Sequence, residues 1–327
     1  MVHLYAKEFA RLGHTIHILA GPGSRSYGGR LHLHSAPSTS YLSRFRHKLG
    51  FQIQSLSAAI DCDVVYNHAR FDYLEALLAI NKPILHCFHN GIDQGQIDFA
   101  ERRMKSRSAF HFLSESQRSN ALISMPNVLI PNSVDTLSIC PGGGEGGYLV
   151  FLGRLTRNKG VDIAIAVALL SGMKLMIAGN VSDEEGGKTF FRQEVEPYLD
   201  GLQICWIGEV DDFQKQRLLG QAEAVLMPIR WQDPCPVVMF EALACGTPVI
   251  ATRRASIPEV IEDGVTGFLC DPSEPSVESF VNAVRRLPEI RRSSCRQAVE
   301  KRFDVRVTSI KILDALSNLS SGNHLGF

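Results

Sequence analysis

Along this chain the spacing of apolar residues switches again and again between a helical period and short continuous runs. In residues 1–12, Val2, Leu4, Tyr5, Phe9 and Leu12 stand at helical spacing with Lys7, Glu8 and Arg11 between them, which predicts an amphipathic helix rather than a signal peptide. Gly13 closes it, and residues 14–20 predict a strand that runs out into Gly21, Pro22 and Gly23. Further strands are predicted at 30–35, 63–66 and 83–88, with a long helix at 39–60. Residues 141–147, five glycines in seven, cannot hold a regular element and read as a linker. Beyond them the alternation resumes: strands at 148–152, 174–178, 202–207, 224–227 and 247–251, and helices from Val161, at 211–222, from Pro236 to near Gly246, at 275–287 and 289–302. Residues 320–327 are expected to be disordered. Short buried-type strands alternating with helices predict an α/β fold with parallel sheets in two domains, 1–140 and 148–303.

Composition narrows the picture little. With 327 residues, each domain can build its own core. Lys plus Arg and Asp plus Glu both total 34, so no strong field draws the chain to nucleic acid. Arg44, Arg46, His47 and Lys48 form a local basic cluster, read as a solvated helix face or, functionally, as a contact for an anionic acceptor or a membrane surface. The eight cysteines sit singly and mostly inside apolar runs, as reduced core thiols do, which suggests a cytosolic chain, with that basic cluster as the candidate for peripheral membrane contact. Residues 182–187, with Asp183, Glu184 and Glu185 in a row, read as a mobile acidic and glycine-rich loop, not a metal site.

Candidate chemistry lies where predicted strands end. His68 and His89 follow the strands at 63–66 and 83–88, on the edge where open α/β sheets bind ligands, while His86 is expected to point into packing. The polar loop from Gly153 to Gly160 carries Arg154, Arg157 and Lys159 ahead of a helix: a forked guanidinium and a mobile ammonium suited to a diphosphate, or a surface loop with three cations. The stretch WQDPCPVVMFEALACGTPVIAT, 231–252, places Asp233 and Glu241 on either side of a Pro-Cys-Pro turn, with Pro236 at the first helical position and Gly246 at the left-handed end. A helix start there would attract a phosphate; the alternative is a capping Asp233 and a solvated Glu241.

The carboxylate, seven residues, glutamate spacing, followed by the run ALACGTPVIA, resembles the donor-site signature of glycosyltransferase family 4. The resemblance implies the GT-B architecture, two facing Rossmann-like domains, with a terminal helix (304–319) returning to the first. It implies retaining transfer of a hexose-type sugar from a nucleotide-sugar donor to an acceptor hydroxyl on a carbohydrate, a lipid-linked or a small molecule, with no metal and no cofactor. By position, Asp233 would bond donor-sugar hydroxyls and Glu241 the ribose. Gly153, Arg154 and Lys159 of the G-R-x-x-x-x-K-G pattern, together with Pro234, Cys235, Pro236, Val237 and Val238, would hold the diphosphate. His89, in an H-N-G similar to the family's H-G, would bond a sugar hydroxyl beside the reacting carbon, with His68 on the acceptor side. Four positions depart from the pattern: Asp233 stands where Glu is usual, Cys235 and Pro236 where Phe-Gly is frequent, and Ser133 where Gly is usual. The family's first strand and glycine-rich loop have no counterpart before the helix at 1–12. Their absence would leave an open seam in the first sheet. A nucleotide-sugar-binding protein without catalysis is the alternative reading, and an epimerase or phosphorylase a third; no pyridoxal-binding lysine is evident for the last.

Overall fold

The computed structural model describes residues 1–34, 41–104, 107–182, 186–271 and 276–322, the side chains of 41–45 and 72 excepted. It divides into two compact units, Met1–Asn132 with Val305–Phe327, and Ser133–Asp304. The division falls at Asn132/Ser133 and not at the glycine-rich segment, because 133–147 is bonded into the second unit. Asp304 Oδ2 accepts from the amide and hydroxyl of Thr136, and the Arg296 guanidinium donates to the carbonyls of Thr136, Ile139 and Ala244. The glycines themselves are packed: Arg292 donates to Gly142 O, Gly220 O and Ala222 O, and a methyl on Gly142 would lie 2.1 Å from Gly220 O. Segment 141–147 is therefore a close-packed strap inside one unit, not a linker between two.

In the first unit α1 (Val2–Arg11), β1 (His17–Ala20), β2 (Arg30–Leu33), α2 (Tyr41–Ala59), β3 (Val65–Asn67), α3 (Glu75–Ala79), β4 (Ile84–Cys87), α4 (Gln94–Glu101), β5 (Ser108–Phe112), α5 (Glu115–Arg118) and β6 (Asn127–Leu129) follow one another. The strands are parallel and form two sheets, β1-β2 and β3-β4-β5-β6, so among the described residues β1 and β3 each keep one edge without a strand partner. Helix α1 covers one face with Tyr5 and Phe9, joined there by Ile312, Ala315, Leu316 and Leu319 of the last helix, α13 (Val305–Ser321). The other face packs Phe110 and Phe112, both fully buried, against Leu74, Leu77 and Ile97. Each such aromatic contributes about 1.5–3 kcal/mol through burial. Helix α4 went unread in the sequence, although Asp93 and Gln96 form a capping box at its start. Helix α13 runs through Ser321, past the onset of disorder expected at Ser320; residues 323–327 lie outside the described residues.

The second unit contains β7 (Tyr148–Leu152), α6 (Val161–Ser171), β8 (Lys174–Ala178), α7 (Gly187–Phe190), β9 (Ile204–Trp206), α8 (Asp212–Gln221), β10 (Ala224–Met227), α9 (Val237–Ala244), β11 (Val249–Thr252), α10 (Ile257–Val260), β12 (Gly267–Cys270), α11 (Val277–Arg285) and α12 (Arg292–Arg302). Its six parallel strands run in the order β12-β11-β10-β7-β8-β9, the doubly wound arrangement that opens a crevice where the order reverses. Strand β12 and helix α7 were not anticipated. Ser133 takes no positive φ, so the turn accepts it without left-handed strain. No helix among the described residues is long and apolar enough to cross a membrane.

His111, fully buried in β5, has both ring nitrogens committed: Nε2 donates to Ile130 O at 2.6 Å, so Nδ1 accepts from the Tyr66 hydroxyl at 2.7 Å. Burial pushes its pKa down from 6.5 to about 4. The unfolded chain therefore binds the proton first, so this contribution to stability is whole above about pH 6.5 and is lost as pH falls from there to about 4. Hydrogen exchange of β4 and β5 peptides should show protection falling across that window, and His111→Gln, which keeps a donor and an acceptor without titrating, should flatten the fall; an unchanged slope would exclude His111 as its source.

Candidate active site

In the second unit the carboxyl ends of β7, β8 and β10 and the start of α9 surround a cleft of about 440 Å³, within the size range of small-ligand sites. Its walls include Gly153, Arg154, Lys159, Lys215, Glu241 and the start of α9 at Pro236, Val237 and Val238. Two glycines make the cleft floor: Gly179 has φ of 142°, and a methyl there would lie 1.9 Å from Gly153 O. The backbones of β7 and β8 can thus meet only without side chains. Lys159 ends a single 3₁₀ turn, Arg157–Lys159, and Gly160, left-handed at φ of 78°, starts α6. Arg230 ties this loop down, gripping Asp162 with two bonds of 2.8 and 2.6 Å and donating to Arg157 O.

The expected Asp233 is buried, and its Oδ2 accepts from Lys159 Nζ at 2.8 Å. Asp233 O accepts from the hydroxyl of Ser256, whose neighbour Ala255 is held at a positive φ of 51°. Lys159 also lies over the Trp231 ring, 4.9 Å from its centroid. Pro236 is extended, with ψ of 120°, and so precedes the helix instead of occupying its first turn; no side chain caps α9. Its first-turn amides, Val237 onward, are left as the positive end of the helix at the cleft wall. Asp233, Pro234 and Cys235 are buried and do not themselves line the cleft; Asp233 is joined to it through Lys159. Arg157 is exposed, as expected, against Glu194.

Lys215 went unrecognised in the sequence. From α8 its Nζ reaches Glu241 at 2.7 Å and Asp212 at 2.9 Å. Burial alone would lower its pKa, but the carboxylates of Glu241 and Asp212 outweigh that and raise it, so Lys215 is firmly charged at neutral pH. The signal that could have found it is the spacing of Asp211, Asp212 and Lys215 around a capping box, which puts the lysine one turn inside the helix. Residues 183–185, read as a mobile loop, lie outside the described residues.

In the first unit His68 and His89 come together at the ends of β3 and β4, with Nδ1 of His68 2.7 Å from Nε2 of His89 and the rings stacked at 5.0 Å. Burial lowers both pKa values, that of His68 strongly. Gln117 fixes the turn beneath them by donating to Phe88 O and Asn90 O. His86 packs inward among Phe71, Phe88 and Phe110, as expected, with Asn67 donating to its Nδ1.

Residues 1–136 match the family profile described as Glycosyltransferase Family 4, and residues 143–302 match Glycosyl transferases group 1. The chain belongs to glycosyltransferase family 4. Among curated relatives, the phosphatidyl-myo-inositol mannosyltransferase of Mycolicibacterium smegmatis is 25% identical over 287 residues, covering 80% of this chain and 72% of its own. The alpha-maltose-1-phosphate synthase of the same organism is 29% identical over 139 residues, covering 40% of this chain and 35% of its own. Alignments with the first curated relatives span only 35–42% of their length. In fold, HepE from Anabaena, solved with UDP and glucose, superposes with a TM-score of 0.76 at 16% identity, covering 97% of this chain and 95% of its own. Sucrose-phosphate synthase from Thermosynechococcus elongatus gives 0.80 at 16% identity, covering 98% and 93%. Both likenesses are to the GT-B fold, with parallel strands in each of two α/β units as here.

The glycine floor and the left-handed alanine make opposite predictions. Gly179→Ala should destabilise the second unit by about 2 kcal/mol or more, and Ala255→Gly should stabilise it by about 1 kcal/mol. Both tryptophans, Trp206 and Trp231, lie in that unit, so their fluorescence in a urea titration reads the two shifts directly. A neutral Gly179→Ala would show that the β7–β8 approach is not tight.

Proposed function

We propose that this family 4 member is a glycosyltransferase that moves a hexose-type sugar from a nucleotide-diphosphate donor to an acceptor hydroxyl with retention of anomeric configuration. The observation that carries the reading is the convergence of Arg154, Lys159, Lys215 and the uncapped start of α9 on one cleft. Such a wall matches a diphosphate, whose charge grows as the bond from the anomeric carbon to the phosphate oxygen breaks; fixed cations and amides stabilise that charge without reorganising. The acceptor oxygen forms the new bond to that carbon, and its proton passes to the departing phosphate oxygen, which gains basicity as it leaves. Glu241, partly exposed on the first turns of α9, is suited to two ribose hydroxyls, and Asp233 to sugar hydroxyls once Lys159 shares its attention with phosphate. To the first unit the reading assigns the acceptor and a sugar contact from His89, with His68 beside it. The acceptor class, whether carbohydrate, lipid-linked or small molecule, is left to screening.

HepE was solved with UDP and with UDP-glucose, which makes uridine the first base to test. Calorimetric titration with UDP, GDP and ADP should give one preferred nucleotide, its affinity falling at least tenfold in Arg154→Ala and in Glu241→Ala. Asp233→Ala should lose donor turnover while keeping most nucleotide affinity. A folded chain that binds none of the three would overturn the reading, and one that binds but turns over no donor would favour a binding protein without catalysis.

A further inference from the structure

His68, Cys87 and His89 bring one ligand atom each within 4.8 Å of the other two. The arrangement follows from strand geometry. Cys87 ends β4 and His89 stands two positions on, so both side chains leave the same face. Asn67 pairs with His86 in the β3–β4 register, which sets His68 beside Cys87 on the adjacent strand. Sequence spacing hides the group because its members come from two strands and match no pattern of paired cysteines. Two imidazoles and one thiol form a borderline-soft donor set, the kind that selects zinc over magnesium or calcium. Bond lengths of about 2.0–2.1 Å to nitrogen and about 2.3 Å to sulfur place tetrahedral ligand atoms about 3.3–3.6 Å apart. The histidine nitrogens, 2.7 Å apart, would open slightly to admit an ion. A surrounding shell is present: the Tyr66 ring lies 4.0 Å from that of His68, and its hydroxyl is anchored on buried His111.

We propose that His68, Cys87 and His89 form a three-ligand site for a thiophilic divalent cation, with Zn²⁺ as the type ion and solvent in the fourth position. Coordination releases one proton, from the Cys87 thiol. The proton shared by the two imidazoles stays on its own ring and moves to the far nitrogen. An occupied site also withdraws His89 from the sugar contact assigned to it, so the ion inhibits transfer; this second clause rests on the function proposed above.

The test uses the full chain stripped with a chelator and titrated with Zn²⁺ against a chromophoric competitor, then with Co²⁺ followed by absorption. One equivalent should bind, and Co²⁺ should show tetrahedral bands and a thiolate charge-transfer band. Cys87→Ser should weaken Zn²⁺ at least tenfold and abolish the charge-transfer band. If the buried serine prevents folding, His68→Gln decides the matter, with the same loss of affinity expected. No bound equivalent, or affinity unchanged in the folded variant, overturns the site. Zn²⁺ that binds at this site without slowing turnover leaves the site standing and overturns the role given to His89.

Discussion

Parallel strands cannot be joined by tight turns, and every strand pairing in both units is parallel. Each connection must cross a sheet face before the next strand begins, so within a unit all carboxyl ends open along one edge. Much of the candidate chemistry lies on those edges. The histidine pair follows β3 and β4; the Gly153–Gly160 loop follows β7, Gly179 follows β8, and the Asp233 segment follows β10. The chain did not need to gather these residues one by one, because the sheet gathers them.

What the sheet cannot do is compensate a carboxylate that folding takes out of water. The second unit answers this by pairing each expected carboxylate with a lysine from another element: Asp233 with Lys159 and Glu241 with Lys215. A buried carboxylate left alone would cost several kcal/mol, so Asp233 in particular depends on its partner. The pairs hold the loop after β7 and the helix α8 against α9 without a bound molecule. A ligand bearing phosphates and hydroxyls can then exchange partners with them, oxygen for oxygen.

Much of this was legible in the sequence. The strands at 148–152, 174–178 and 224–227 coincide with β7, β8 and β10, since an uninterrupted apolar run bounded by glycine or charge leaves little choice. Arg154, Lys159 and Glu241 line one cleft, and it was the resemblance to the family pattern that had singled them out. Less was readable where long-range contacts decide. Segment 141–147 has the composition of a flexible linker, yet Arg292, far along the chain, fastens it. Strand β12 hides in GVTGFLC because its glycine, Gly267, passes against Val249, where a methyl would lie 1.9 Å from a carbonyl oxygen. Lys215 looked like any surface lysine until α8 was laid beside α9, and the meeting of His68 with His89 depends on a strand register that no local pattern encodes.

The burial of the cysteines, finally, governs how this protein meets electrophiles. Cys87, Cys235, Cys245, Cys270 and Cys295 are buried, and burial pushes the thiols of Cys245 and Cys295 up to about 12 and that of Cys270 up to about 11. Only thiolates attack alkylating reagents at useful rates, so the sulfurs of Cys245, Cys270 and Cys295 are nearly inert at neutral pH. Cys140 is exposed, while Cys62 and Cys205 are half-buried. A maleimide dye would therefore settle first on Cys140, beside the glycine strap, and give a near-site-specific label in the natural sequence with no residue replaced.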